Sequence, residues 1–137
     1  MPVTKEQQRS AFALEKITNV YGETISKEDA NFIVGVPTMI LTGGLAQTMA
    51  FLLSKQDPKK ANDVKEVKLF KIIQQWLTSE LRVPNEGGDT RKFLEHFAKL
   101  DHEKYLLAQK EALALLQWLK RYARAFQKKE KADESAS

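Results

Sequence analysis

Cysteine is absent from all 137 residues, which excludes a disulfide framework, a thiol nucleophile and cysteine-ligated zinc. A reducing compartment suits such a chain. Histidine is nearly absent too. His96 and His102, the only two, miss the i,i+3 or i,i+4 spacing that brings two imidazoles to one metal on a helix, and both read as surface residues. Neither GxSxG nor HExxH occurs, so the expectation is a chain with no enzymatic activity, no cofactor and no metal. No apolar run approaches the roughly 18 residues that span a bilayer. The opening MPVTKEQQRS is polar throughout, so a soluble, unexported, cytoplasmic chain with no membrane partner is expected.

Glycine and proline are scarce, six and four residues, and they gather at a few sites. The intervals between them are rich in Ala, Leu, Lys, Glu and Gln, the residues that favour helix. This predicts an all-α fold, a compact single-domain bundle of about five to six helices over residues 1–128. The tail, 129–137, has no apolar anchor to offset its ordering entropy and reads as disordered. Thr4 with Gln7 has the form of a capping box, opening a first helix to about Tyr21, where YGET ends it. Ser26 caps a shorter second helix, and Asp57 before Pro58 opens a long one to about Leu81. VPNEGGD is a loop. Asp89 or Thr90 then starts a short helix through about Lys99, and Asp101 starts the longest, which fades near Lys128.

At about 100° per residue, Tyr105, Ala108, Ala112, Leu115, Leu116, Leu119, Tyr122, Ala123 and Phe126 fall on one side of the last helix. Leu14, Ile17 and Tyr21 do the same in the first, and Leu69, Phe70, Ile73, Trp76 and Leu77 in the segment ending near Leu81. Such faces leave water by meeting one another.

In PTMILTGGLAQTMAFLLSK, residues 37–55, the adjacent Gly43 and Gly44 precede a helical stretch, the outline of a loop that cradles phosphate. The outline fails in detail. No lysine follows either glycine before Lys55, a third glycine is missing at the dinucleotide-binding spacing, and Pro37 interrupts the only candidate strand. A break or close approach between helices is the economical reading, with Leu45, Met49, Leu52 and Leu53 forming a buried stripe after it.

The formal net charge is +4, and its distribution matters more than its size. On the first helix Lys5, Arg9, Phe12 and Lys16 share a sector of about 60° turned away from the apolar face. On the last, Lys110, Lys120, Arg121, Arg124, Lys128 and Lys131 occupy one flank, interspersed with Leu106, Leu113 and Gln117. Such stripes can follow a phosphodiester backbone while an exposed Phe packs on a base or sugar. They can equally be solvated faces that keep a protein in solution. Lys65, Lys68 and Lys71, diluted by Asp63 and Glu66, are assigned to the solvated kind. Leu106 and Leu113 hint at a partner surface.

Two segments resemble the small all-helical subunit of the Cmr-type (type III-B) CRISPR ribonucleoprotein complex, an RNA-guided, RNA-targeting effector. PTMILTGGLAQTMAFLLSK is similar to that family's succession of Pro, an apolar pair, Gly-Leu, Thr, Ala-Phe and Ser-Lys, with Gly43 standing where the pattern favours Asn. In YLLAQKEALALLQWLKRYARAF, Tyr105, Glu111-Ala112-Leu113, Trp118-Leu119-Lys120-Arg121 and Ala123 match its C-terminal helix. The resemblance spans nearly all of residues 1–130. It implies a non-catalytic protein of antiviral defence, stacked in several copies as a filament beside other subunits of the complex, its basic residues helping to line the channel for the guide–target RNA duplex. By position it implies RNA contacts from Lys120, Arg121 and Arg124, then Arg9, Lys16 and Lys55, with Lys110 joining them on the basic flank. Contacts to a neighbouring copy would use Phe12, Leu106 and Leu113. The alternative is a helical protein–protein adaptor whose stripes meet an acidic protein and have no nucleic-acid role.

Overall fold

Thr4 Oγ1 accepts the backbone N–H of Gln7 at 3.1 Å while the Gln7 side chain accepts that of Thr4 at 2.7 Å, the reciprocal box the sequence predicts. From it runs α1, Lys5–Lys16, in a computed structural model that describes residues 2–82 and 88–129. Most of the expected tail, residues 130–137, and five residues of the VPNEGGD loop, 83–87, lie outside the described residues. Beyond α1 the chain widens into one π-helical turn, Ile17–Tyr21, and ends at the expected tyrosine. Gly22 then turns it outward at a φ of 99°.

The second helix, α2, is Lys27–Gly43, capped by Ser26, whose Oγ accepts the Asp29 N–H at 3.0 Å. At 17 residues it is as long as the helical stretch before it, 12 residues of α1 and 5 of the π-turn, and so is not the shorter helix expected. Pro37 lies buried within it and does not end it. A proline in a helix interior costs about 3 kcal/mol. Its neighbours Ile33, Val36 and Ile40 are buried, and each such side chain contributes about 1.5–3 kcal/mol, so packing outweighs the lost hydrogen bond.

The remaining helices are α3, Leu45–Ser54, α4, Lys65–Leu81, α5, Thr90–Ala98, and α6, His102–Ala125. The fold is thus all-α, with six α-helices and no strand among the described residues. α4 starts at Lys65, not at Pro58. Asp57 instead closes a turn, its carboxylate accepting the Lys59 N–H at 3.0 Å and its carbonyl the Lys60 N–H at 3.1 Å. Residues 57–63 are all exposed, and a short helix with no face to bury lacks the packing that sustains most protein helices. Asp89 caps α5 and Asp101 caps α6, each accepting the N–H three residues on.

α6 is the axis of the bundle. Its buried side, Ala108, Ala112, Leu115, Leu116, Leu119 and Ala123, follows the expected apolar face, and α1, α2 and α4 pack against it. At the rim the expectation relaxes: Tyr105 and Tyr122 are half-buried and Phe126 is 40% exposed. α1 runs parallel to α6, with Glu6 bonded to Trp118 and Ser10 to Tyr122. α2 runs antiparallel, with Arg124 bonded to Asn31 and Leu45, just past its end, to Gln109. α4 is buried on most of its circumference, the mark of a central helix.

The buried face of α1 is rotated from the one expected. Ala13 and Ile17 are buried and Leu14 is 39% exposed, because Phe12 turns inward onto Trp76 of α4, ring centroids 4.8 Å apart. After α6 the chain is pinned by one parallel bridge: the Ile25 N–H donates to the Phe126 carbonyl at 2.9 Å and the Lys128 N–H to the Ile25 carbonyl at 2.8 Å. Among the described residues no helix is long and apolar enough to cross a membrane.

Candidate nucleic-acid interface

The helix start after the double glycine is occupied by the protein itself. Gly44, φ 86° and ψ 162°, ends α2 and begins α3. The N–H of Leu45 donates to Gln109 Oε1 at 3.0 Å and that of Ala46 to the Tyr105 hydroxyl at 3.1 Å. A Cβ on Gly44 would stand 3.2 Å from that hydroxyl. The joint is therefore both a break and a close helix approach, and two of the donors a phosphate would use are bonded to α6. Among the described residues no group of histidine, aspartate and glutamate could hold a metal.

The cations of α1 are drawn into the fold rather than ranged outward. Lys5 pairs with Glu80 of α4. Arg9 Nε and Nη2 donate to the two oxygens of Glu111 at 2.7 and 2.9 Å, and its Nη1 donates to Glu6 at 2.7 Å. Arg9 and Glu111 keep only 15% and 14% of their side-chain exposure. Glu111 accepts a third bond, from Trp76 Nε1 at 2.9 Å. The Arg9 bond draws the Glu111 carboxyl below its ordinary range, against the upward push of burial and with help from Trp76. Lys16 Nζ sits over the Phe12 ring at 5.5 Å. The expected outward ridge on α1 is thus corrected: Arg9 is a structural clamp, and Phe12 is half-buried core.

At the end of α3, Lys55 lies over Phe51 at 5.1 Å and lines a depression of mixed sign with Glu28, Asp29, Asp57, Lys60, Lys65 and Glu66. Such a surface has no net pull on a polyanion. The central lysines behave as the sequence suggests. Lys65 pairs with Glu28 and Glu66, Lys71 with Asp63, and Lys68 rests over Tyr21.

α6 is different. Lys120, Arg121 and Arg124 converge with Val34 of α2 around an open depression of about 560 Å³. None of the three meets a carboxylate among the described residues. Arg124 Nη1 donates only to neutral oxygens, Asn31 Oδ1 at 2.9 Å and Gln127 Oε1 at 2.7 Å, which orient the guanidinium without discharging it. Lys110 is exposed on the same helix, about 15 Å from Lys120 by helical rise. Lys131 lies outside the described residues.

Of the residues expected at a subunit contact, Leu106 is 48% exposed and Leu113 is half-buried against the core. Three larger apolar exposures escaped the sequence reading, Leu41 at 71%, Leu107 at 57% and Val3 at 56%. Leu41 sits in the apolar run ahead of the double glycine, where run composition masks which residue faces out. Residues 5–126 of the chain match the family model of the CRISPR-associated protein Cas_Cmr5.

Proposed function

The chain belongs to the Cas_Cmr5 family of CRISPR-associated proteins, small subunits of the Cmr-type (type III-B) complex, and on that premise we propose that it grips RNA backbone there through Lys120, Arg121 and Arg124. The observation that supports this reading is their convergence on one depression without a carboxylate to neutralise them. Each phosphate so bound releases condensed counterions, an attraction that ignores base sequence. Lys110, exposed on the same helix, extends the contact at lower charge density; Lys55 is left out because its depression is of mixed sign, Lys16 because it lies over Phe12 on α1, and Arg9 because two carboxylates already hold it. The role is non-catalytic, in antiviral defence and in the cytoplasm. Several copies stack as a filament, and the array multiplies the few phosphate contacts that one protomer offers to guide and target RNA. The exposed Leu41, Leu106 and Leu107 serve contacts between copies or to other subunits.

The test is to change Lys120, Arg121 and Arg124 together to Ala and measure RNA binding by the assembled complex as a function of salt. Three cations on single-stranded RNA contribute about −2 to the slope of log K against log salt per protomer. Loss of that contribution is expected. An unchanged affinity and slope, with the complex still assembled, would leave the protein–protein adaptor as the reading.

A further inference from the structure

Trp118, Tyr122 and Phe126 follow one another along α6 at i, i+4 and i+8, with ring centroids 5.9 and 6.3 Å apart and planes 29° and 22° from parallel. Side chains on a helix lean toward its N-terminus and cover the turn before their own, so Phe126 leans on Tyr122, Tyr122 on Trp118, and Trp118 on residue 114. That residue is alanine. The stack therefore stops at a single methyl group, and where a fourth large side chain would continue it there is an open depression of about 520 Å³, lined by Glu6, Ala114, Gln117, Trp118 and Arg121. Tyr122 backs the indole, and the indole Nε1 donates to Glu6 Oε2 at 3.1 Å. The ring is thus braced on one face and at one edge.

Arg121, three residues after Trp118, leans toward it by the same rule. It lines this depression and also the one it shares with Lys120, Arg124 and Val34. The two are therefore joined through one guanidinium, which meets no carboxylate among the described residues. Glu6 is the acid on the rim, and both its oxygens are engaged, one by Trp118 and the other by Arg9 Nη1 at 2.7 Å. A flat π-surface beside an amide and a guanidinium suits a planar group with hydrogen-bonding edges better than an aliphatic side chain. A base carrying a phosphate is such a group, since the indole takes the base and the guanidinium the phosphate. A duplex hides its base faces in its own stack, so the complementary base is unpaired.

Resting on the phosphate-binding reading above, we propose that the depression over Ala114 takes one unpaired RNA base, stacked on the face of Trp118 turned from Tyr122, while Arg121 holds the adjoining phosphate. The full-length chain at low salt is titrated with a short oligouridylate and with an abasic oligonucleotide of equal length. Trp118, half-buried, reports by fluorescence, since Trp76, the other tryptophan, is only 6% exposed. Oligouridylate is expected to quench the emission, and the abasic strand to bind without quenching. Ala114→Leu fills the depression with a side chain that suits a helix nearly as well as alanine. It is expected to weaken oligouridylate about tenfold, the loss of one base–aromatic stack, with abasic binding and the salt slope unchanged. By anisotropy of the labelled strand, Trp118→Leu should lose as much and Trp118→Phe, which keeps a π-face, should retain most of the affinity.

Equal quenching by the abasic strand overturns the proposal, as does an Ala114→Leu chain that binds oligouridylate as the parent does or loses both strands alike, or a Trp118→Phe chain no better than Trp118→Leu. If Ala114→Leu is neutral while the Lys120, Arg121 and Arg124 triple variant loses binding, stacking falls and backbone binding stands. If the triple variant is neutral, the backbone reading falls and the base site with it.

Discussion

Arg9 Nε and Nη2 meet the two oxygens of Glu111 at 2.7 and 2.9 Å, a two-pronged pair joining residues 102 apart in the chain. The pair ties α1 to α6, and the same carboxylate ties α4 through Trp76 Nε1. A cation that reads on a helical wheel as a ligand for RNA is thus spent on holding three helices together.

Removing Glu111 leaves three N–H donors, two on half-buried Arg9 and one on buried Trp76, without that acceptor, an asymmetry that costs more than the net value of the bonds. Glu111→Ala is expected to lose about 3 kcal/mol and Arg9→Ala about 2 kcal/mol, read from urea unfolding. At a temperature where the variant remains folded, Arg9→Ala should bind RNA as the parent does. A loss matching that of Arg121→Ala would return Arg9 to the interface.

The same carboxylate gives a pH dependence of known sign. Its folded pKa is lowered from the ordinary 4.5, chiefly by the bond from Arg9. A depressed acid contributes stability that is present above the unfolded value and is lost as pH falls through the folded one. The stability gap between the parent and Glu111→Gln should be constant above about pH 6 and should shrink as pH drops below about 4.5. Unfolding free energies across that range measure it, and a gap that stays constant to the acid limit contradicts the pairing.

The two adjacent glycines should respond oppositely to alanine. Gly44 combines φ 86° with ψ 162°, a region essentially reserved for glycine that costs about 1–3 kcal/mol for other residues, and its Cβ would press on Tyr105 at 3.2 Å. Gly44→Ala should lower the thermal midpoint by several degrees, roughly 3–4 °C for each kcal/mol. Gly43 is helical, and its Cβ would meet nothing nearer than Gln47 at 3.9 Å. Gly43→Ala should raise stability by up to about 1 kcal/mol.

Phe12 is a further case in which burial makes a definite prediction. With its ring 4.8 Å from Trp76, Phe12→Ala should cost about 2–3 kcal/mol, somewhat under the fully buried figure, and should alter Trp76 emission. A solvent-facing phenylalanine would cost under about 0.5 kcal/mol, so a neutral unfolding curve would place it back on the surface.

The helices were legible from residues that satisfy one another within a single turn. Thr4 with Gln7, Ser26 with the Asp29 N–H, Asp89 with that of Lys92 and Asp101 with that of Lys104 are local pairs, and a cap written in four residues needs no knowledge of the rest of the chain. Periodicity likewise identified the buried side of α6. Where a helix depends on distant packing, local signs misled. Asp57-Pro58 has the form of a helix start, yet the residues after it have nothing to pack against. Pro37, read only as an interruption of a candidate strand, lies inside α2, which runs through it because its neighbours are buried.

The interface lay beyond local pattern for a related reason. Arg9 and Arg121 are the same kind of side chain on similar amphipathic helices, as are Phe12 and Phe126 among aromatics. One arginine is taken by a carboxylate from another helix and the other is not. One phenylalanine lies on a tryptophan of α4, and the other stands at the rim of α6. Hydrogen bonds and ion pairs act over a few ångströms. Which charges stay uncompensated is therefore set by how helices come together in space, and a periodic pattern along one helix carries no record of the helix that will lie beside it.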